Sequence, residues 1–244
     1  MTWRACAISK KGSDASLFDP KDEALVNALA AAGLELRQTA AGLALVGDGM
    51  ELVADLADMK KRLRPDRLGQ ELLVKAARVK GVEHPFAVDA TAGLGQDSLL
   101  LAAAGFSVLL FESDPVIGAL LQDALERAAL DPNLASIVGR MSLVRGDSIG
   151  GMAELSQVPD VVLLDPMFPE RRKSAAVKKK FQLIHHLERP CSNEEELLRA
   201  AIEAGPRKVV VKRPPKGPHL AGQKPSYSIT GKAVRYDCLV FARS

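Results

Sequence analysis

The chain has 244 residues, of which 47% are hydrophobic and 26% charged, and 33 basic against 30 acidic residues give a net charge of +3. These values are ordinary for a globular protein with a hydrophobic core, and the length suits one large domain or one medium domain with a small one. Three cysteines, Cys6, Cys191 and Cys238, are too few, odd in number and without C-x-x-C spacing, which excludes a disulfide framework.

Metal binding and membrane insertion are also not expected. His185 and His186 are the only adjacent histidines, and neighbouring positions on a helix point about 100° apart, so they do not form a metal site. No window approaches the roughly 18 apolar residues of a membrane span, and residues 1–12 carry no apolar signal segment. We therefore expect a cytoplasmic protein without a metal.

The first part of the chain, residues 1–67, is predicted to form a small N-terminal α/β subdomain. Residues 3–9 have the composition of a strand, and a helix is predicted from Asp19-Pro20 to Ala32, closed by Gly33. Two short strands, LELRQTA and GLALVGD, follow on either side of Ala41-Gly42. Residues 51–80 are predicted to be mostly helical, with an amphipathic helix over 68–79.

Residues 68–244 are predicted to form a second, larger domain in which strands alternate with helices. Strands are expected over 86–90, 108–112, 142–147, 161–165 and 208–212, and helices after residue 97, over 115–129 and over 193–205. Residues 226–241 resemble a hairpin that turns near Thr230-Gly231. The alternation indicates a parallel, doubly wound sheet, to which the hairpin adds an antiparallel piece.

Three clusters of positive charge occur in this nearly balanced chain, at residues 60–67, 171–180 and 212–216. Each could be a solvated face, but three together favour a nucleic-acid partner. The candidate RNA contacts are Arg171, Arg172, Lys173, Lys178, Lys179, Lys180, Lys212 and Arg213.

A glycine-rich turn, DATAGLGQD, follows the first strand of the larger domain. Gly93 and Gly95 allow a tight turn and a close approach of a ligand, and the spacing to Ser98 is close to a dinucleotide-binding fingerprint but lacks its third glycine. The structural alternative is a strand-to-helix turn in which Asp97 or Ser98 caps the next helix.

The acids around this turn favour a cationic ligand. Asp89 and Asp97 would repel a pyrophosphate, but they suit the ammonium and sulfonium of S-adenosylmethionine. Glu112, at the end of the next strand, can accept hydrogen bonds from both hydroxyls of a ribose. Asp147, with Ser148 beside it, can accept from the amino group of adenine.

The segment DPMFP (165–169) lies at the end of the fourth strand and faces the crevice beyond the carboxyl ends of the strands, where the glycine-rich turn also lies. The carboxylate of Asp165 and a backbone carbonyl can accept the two N–H groups of an exocyclic amine, which aims its lone pair at a methyl group. Pro166 fixes the backbone, and Phe168 can stack on the base. The alternative is that Asp-Pro only ends a strand and Phe168 belongs to the core.

VDATAGLGQD, FES, GDS, LDPMFPERRKSAAVKKK and VVVKRPP resemble the ribosomal RNA small subunit methyltransferase J family over about residues 69–244. The resemblance implies a Rossmann-like class I methyltransferase sheet that uses S-adenosylmethionine to methylate N2 of a guanine in 16S ribosomal RNA, as free RNA or in the small ribosomal subunit. Gln96 stands where the family has Arg, and Asp147 where Ser can occur. The implied donor-binding positions are Gln96, Asp97, Glu112, Ser113, Asp147, Ser148 and Asp165.

Three alternative functions are compatible with the residues alone. The same chemistry could act on another amine, such as adenine in DNA or a protein side chain. An NAD-dependent oxidoreductase is disfavoured by the missing third glycine, the flanking acids and the absence of a Tyr-x-x-x-Lys pair. A non-catalytic RNA-binding module on the same fold would bind RNA without the donor.

Overall fold

The structure is a computed structural model that describes residues 23–166, 183 and 193–242. Several predictions lie outside these residues: the strand over 3–9, the start of the first helix at Asp19-Pro20, the stacking residue Phe168, the basic run 171–180 with its six candidate RNA contacts, and the pair His185-His186. No helix among the described residues is long and apolar enough to cross a membrane.

A helix and a small antiparallel sheet begin the described chain. Helix α1 (Glu23–Ala31) is followed by Gly33 at φ +70°, and strands β1 (Leu34–Thr39) and β2 (Gly42–Gly47) come next, as predicted. Strand β3 (Met50–Val53) completes the sheet in the order β1-β2-β3. The prediction of helix from residue 51 is wrong for residues 51–53, because β3 pairs with β2 and buries the side chain of Leu52 in the core.

Short helical pieces replace the continuous helical region predicted up to residue 80. The pieces are a 3-10 helix (Leu56–Met59), α2 (Lys60–Leu63), α3 (Pro65–Leu68) and α4 (Leu72–Ala77). Pro65 forces Arg64 out of the helical conformation, to ψ 139°, so α2 cannot continue into α3.

The larger sheet has seven strands within the described residues, namely β4 Phe86–Asp89, β5 Ser107–Glu112, β6 Met141–Arg145, β7 Val161–Leu164, β8 Lys208–Arg213, β9 Tyr227–Thr230 and β10 Arg235–Val240. Their order in the sheet is β6-β5-β4-β7-β8-β10-β9. Strands β4 to β8 are parallel to one another, and β10 runs antiparallel to both β8 and β9. The predicted parallel sheet with a terminal antiparallel hairpin is confirmed.

Helices cover both faces of this sheet. They are α5 Gln96–Ala103, α6 Pro115–Ala129, α7 Ala135–Val138, α8 Ser148–Ala153 and α9 Glu194–Glu203. Because side chains alternate along a strand, Leu110 of β5 packs with the cluster that contains α5 and α6, whereas Phe111 packs with the cluster that contains α8 and α9. The doubly wound arrangement therefore buries the strands on both sides.

The small sheet packs against α6. Leu45 and Leu52 belong to the same hydrophobic cluster as Leu120 of α6. Arg127 of α6 donates a hydrogen bond to the carbonyl oxygen of Ala54 and forms an ion pair of 2.8 Å with Asp123. The predicted domain boundary after residue 67 stays a prediction, since the two units share one core.

We expect Arg127→Met to lower the free energy of unfolding by about 1–3 kcal/mol, because the buried carbonyl of Ala54 loses its donor. Chemical denaturation measures the change. Glu126→Ala, an exposed position on the same helix, serves as the control and is expected to change stability by less than about 0.5 kcal/mol. Equal effects of the two substitutions would contradict the role given to Arg127.

Candidate functional site

Acidic residues from separate strands meet at one edge of the larger sheet. Asp89 ends β4, Glu112 ends β5, and Asp165 directly follows β7. In the strand register Asp89 lies between Leu110 of β5 and Leu163 of β7. The carboxyl ends of parallel strands thus bring together side chains that are up to 76 residues apart in the chain, counting from 89 to 165.

The loop between β4 and α5 depends on its glycines. Gly93 (φ +54°) and Gly95 (φ +76°) have left-handed backbone conformations. A Cβ atom at Gly95 would lie 2.6 Å from Leu121 Cδ1, whereas one at Gly93 would meet nothing within 4 Å. The loop therefore packs tightly at Gly95 and leaves open space beside Gly93.

Neither Asp97 nor Ser98 caps α5. The residue at the N-cap position is Gly95, and no side chain caps the helix. Asp97 instead forms an ion pair with Lys212, and Ser98 donates a hydrogen bond to Asp89. The structural alternative weighed for these two side chains is therefore wrong.

Asp89 lies inside the protein, with 2% of its surface exposed. Its carboxylate accepts hydrogen bonds from the Ser98 hydroxyl and, at 3.1 Å, from the Thr91 N–H. Burial raises the pKa of Asp89 to about 7, although both hydrogen bonds oppose the shift. This position makes Asp89 a support for the glycine-rich loop, and its predicted direct contact with the donor stays a prediction.

Thr91 connects the glycine-rich loop to the segment that carries Asp165. The backbone N–H of Asp165 donates to Thr91 Oγ1 at 2.7 Å. Sequence reasoning missed Thr91, because its partner lies 74 residues away in the chain. The sequence did contain one signal for Thr91, which is its position between the end of β4 and the glycines of the loop.

The Glu112 carboxylate is held by two backbone groups. Its Oε2 accepts from the Gly93 N–H and its Oε1 from the Asp114 N–H, each at 2.8 Å. Burial raises the pKa of Glu112, and these hydrogen bonds oppose the shift. Each carboxylate oxygen keeps a second lone pair that can accept a further hydrogen bond.

The predicted adenine contact, Asp147, caps a helix. Its carboxylate accepts from the N–H groups of Ile149 (3.3 Å) and Gly150 (3.2 Å) at the start of α8. Asp147 is exposed and Ser148 is buried. The remaining predicted donor contacts, Ser113 and Gln96, are exposed at the ends of β5 and the glycine-rich loop.

Two predicted RNA contacts, Lys212 and Arg213, are directed inward. Lys212 Nζ lies 2.6 Å from Asp97 Oδ2 and 2.9 Å from Asp165 Oδ2. The Arg213 side chain is fully buried and donates from Nε to the Pro218 carbonyl oxygen at 2.7 Å. These contacts inside the protein do not favour a role in binding phosphates, and the assignment of Lys212 and Arg213 as RNA contacts stays a prediction.

Two of the three predicted catalytic residues, Asp165 and Pro166, are among the described residues. Asp165 is partly exposed at the site and Pro166 is buried behind it. Among the described residues, no group of three His, Cys, Asp or Glu side chains has an arrangement that could hold a metal ion.

Comparison with known proteins places this arrangement in a family. The family described as "Putative SAM-dependent methyltransferase" matches residues 19–241. A ribosomal RNA small subunit methyltransferase J from Neisseria meningitidis is 44% identical over 198 residues, which cover 80% of this chain and 78% of that protein. The protein of the same name from Thioalkalivibrio sulfidiphilus is 42% identical over 213 residues, covering 81% and 84%.

The crystal structure of a SAM-dependent methyltransferase from Neisseria gonorrhoeae resembles the present fold. Its TM-score is 0.70 at 35% sequence identity, and the match covers 85% of this chain and 83% of that one. The match over most of both chains supports one common architecture.

We expect Thr91→Val to lower turnover about 10- to 100-fold, because Asp165 loses the acceptor that fixes its backbone. Thr91→Ser keeps the hydroxyl and should retain most of the activity. Affinity for S-adenosylhomocysteine, measured by calorimetry, should change little in both variants. Equal turnover of the Val and Ser variants would contradict this positioning role.

Asp89 should make stability depend on pH. Its pKa is raised in the folded state, so the folded protein retains a proton that the unfolded chain has released. The stabilisation that this retained proton gives the folded state is therefore lost as the pH rises towards 7. Relative to Asp89→Asn, which does not titrate, the wild type should lose about 2–3 kcal/mol of unfolding free energy between about pH 5 and about pH 7.5. Denaturation curves across this range test the expectation, and a constant difference would contradict it.

Proposed function

Because the chain belongs to the ribosomal RNA small subunit methyltransferase J family, we propose that it transfers a methyl group from S-adenosylmethionine to the N2 amine of a guanine in 16S ribosomal RNA. The observation that carries the proposal is that Glu112 and Asp165 meet at one sheet edge beside the open glycine-rich loop, where Lys212 joins Asp165 to Asp97 of α5. The dependence on S-adenosylmethionine is a property of the family.

The residues present fit this donor. The open space beside Gly93 and the positive φ of Gly93 and Gly95 provide a loop that a ligand can approach closely. Glu112, oriented by two backbone N–H groups, would hold the ribose hydroxyls. Asp97, at the start of α5, would receive the ammonium of the methionine part.

When bound, S-adenosylmethionine supplies an electrophilic methyl group, and the carbon–sulfur electron pair stays on sulfur as this group leaves. The amine of guanine is a poor nucleophile because its lone pair is delocalised into the ring. Asp165 would accept one N–H of this amine and so favour a lone pair that points out of the ring plane. As the new carbon–nitrogen bond forms, the nitrogen releases one proton, which we assign to Asp165 and then to solvent.

The RNA would be held mainly by positive charge. The basic run 171–180 directly follows the segment that carries Asp165, so phosphates and the target base would be bound by adjacent parts of the chain. Phe168 would stack on the base once it has left its neighbours. The 16S RNA, free or in the small subunit, is the proposed partner, and a cytoplasmic location follows from it.

Neither the oxidoreductase nor the non-catalytic alternative is favoured by an observation. The family is a methyltransferase family, and the turn at Gly93 is surrounded by carboxylates, which disfavour a pyrophosphate.

The test is methyl transfer from labelled S-adenosylmethionine to small ribosomal subunits that lack the modification, followed by nucleoside analysis. We expect label in N2-methylguanosine with the wild type. Asp165→Asn and Asp165→Ala should lower turnover by about 100-fold or more while S-adenosylhomocysteine still binds. Glu203→Gln, an exposed acid at the end of α9, is the matched control.

Label in a different nucleoside would move the target to another amine. No label despite donor binding would contradict ribosomal RNA as the substrate. Near-normal turnover of Asp165→Asn would contradict the role given to Asp165.

A further inference from the structure

One cation bridges the two functional halves of the site. Lys212 Nζ contacts Asp97, which belongs to the donor side, at 2.6 Å and Asp165, which belongs to the acceptor side, at 2.9 Å. The side chain of Lys212 is only 23% exposed. Close contacts with two partly buried carboxylates require a cation that stays charged.

The strand register explains why Lys212 reaches this position. Val211 of β8 pairs with Leu164 of β7, so Lys212 and Asp165 are the next neighbours along the two strands. On its other side Lys212 pairs with Tyr236 of β10, which is 4% exposed. Lys212 is therefore enclosed by strands on both sides and extends from the sheet edge towards α5.

The surrounding charges favour the protonated lysine. Burial lowers the pKa of Lys212, but Asp97 and Asp165 outweigh this effect and leave the pKa above its ordinary value. Burial, together with Asp97 and Asp165, raises the pKa of Tyr236. Among the described residues, the other charged groups that face these carboxylates are Arg62 of α2, whose guanidinium is paired with Glu71, Arg213 of β8, and Asp89 of β4.

We propose that Lys212 is a positioning residue that holds Asp97 and Asp165 together as carboxylates and fixes the orientation of Asp165 for the target amine. The ammonium contacts Oδ2 of Asp165, and Oδ1 would accept an N–H of the substrate. The part that concerns the target amine rests on the proposed function. The ion network itself is independent of the substrate.

This role differs measurably from that of a phosphate contact. A lysine that binds RNA phosphate contributes about one ion to the salt dependence of RNA affinity, and its removal weakens RNA binding. A lysine that positions Asp165 contributes to turnover and to its pH dependence. Removing it leaves two carboxylates close together without the cation that contacts both of them, which favours protonation of one of them.

The first experiment tests the ion network without RNA. Acetic anhydride acetylates only neutral amines, so Lys212 should react much more slowly than the exposed Lys216 when both are followed by mass spectrometry. Asp97→Asn combined with Asp165→Asn should make Lys212 react several-fold faster and leave Lys216 unchanged. Equal reactivity of Lys212 and Lys216 in the wild type would overturn the proposal.

The second experiment compares Lys212→Met, Lys212→Arg and the control Lys224→Met, an exposed lysine outside the three basic clusters, in methyl transfer. We expect Lys212→Met to lower kcat about 100-fold, to move the acidic limb of the pH–rate profile to higher pH, and to leave the salt dependence of RNA affinity unchanged. Lys212→Arg, which keeps the charge, should restore the pH profile. Circular dichroism confirms that each variant is folded.

The outcomes separate the two proposals. Normal kcat with a salt dependence reduced by about one ion would make Lys212 a phosphate contact and overturn the inference. A lower kcat with an unchanged pH profile would reduce Lys212 to a structural role and also overturn it. Failure of the wild type to methylate the subunits counts against the proposed function alone, because the acetylation experiment still tests the network.

Discussion

The concentration of negative charge at one buried sheet edge is the constraint on which the site depends. Carboxylates cannot remain charged in a poorly solvated place without compensation, and three kinds of compensation occur here. Asp89 accepts from Ser98, and burial raises its pKa to about 7. Glu112 accepts from two backbone N–H groups. Asp97 and Asp165 share the ammonium of Lys212.

The hydrogen bonds around these carboxylates also connect the donor side of the site to the acceptor side. Glu112 binds the loop at Gly93, so the strand end that would hold the ribose also fixes the glycine-rich turn. Thr91 accepts from the backbone of Asp165 and joins the turn to the acceptor segment. Because each contact satisfies a buried polar group and links two loops, the geometry for the donor and for the amine is set together.

The small sheet stabilises this arrangement from a distance. Its apolar residues enter the same cluster as α5 and α6, the helices that follow the glycine-rich turn and β5. Arg127 ties the end of β3 to α6, and Gly42 lies so close to this arginine that a Cβ atom would be 2.4 Å from its Nε. The N-terminal unit is thus part of the support of the donor side and not only a separate module.

The sequence alone determined the sheet and the positions of its acidic ends. Apolar runs such as VVLLD are typical of strands buried on both faces, and the alternation with helices leads to parallel order, so the carboxyl ends had to meet at one edge. Local patterns were less informative where tertiary packing decides. Residues 50–53 form a strand because they pair with the free edge of β2 and pack against the core, although the sequence that follows them favours helix.

Only the tertiary structure decided the partners of the charges. A cluster such as KRPPK has the composition of a nucleic-acid contact, but the register with β7 and β10 turns Lys212 to Asp165 and encloses Arg213. Asp97 and Asp165, the partners of Lys212, lie 115 and 47 residues away from it in the chain, so no local pattern indicates them. Sequence fixes which charges exist, whereas strand register fixes which of them meet, because neighbouring strands bring distant residues within hydrogen-bonding distance.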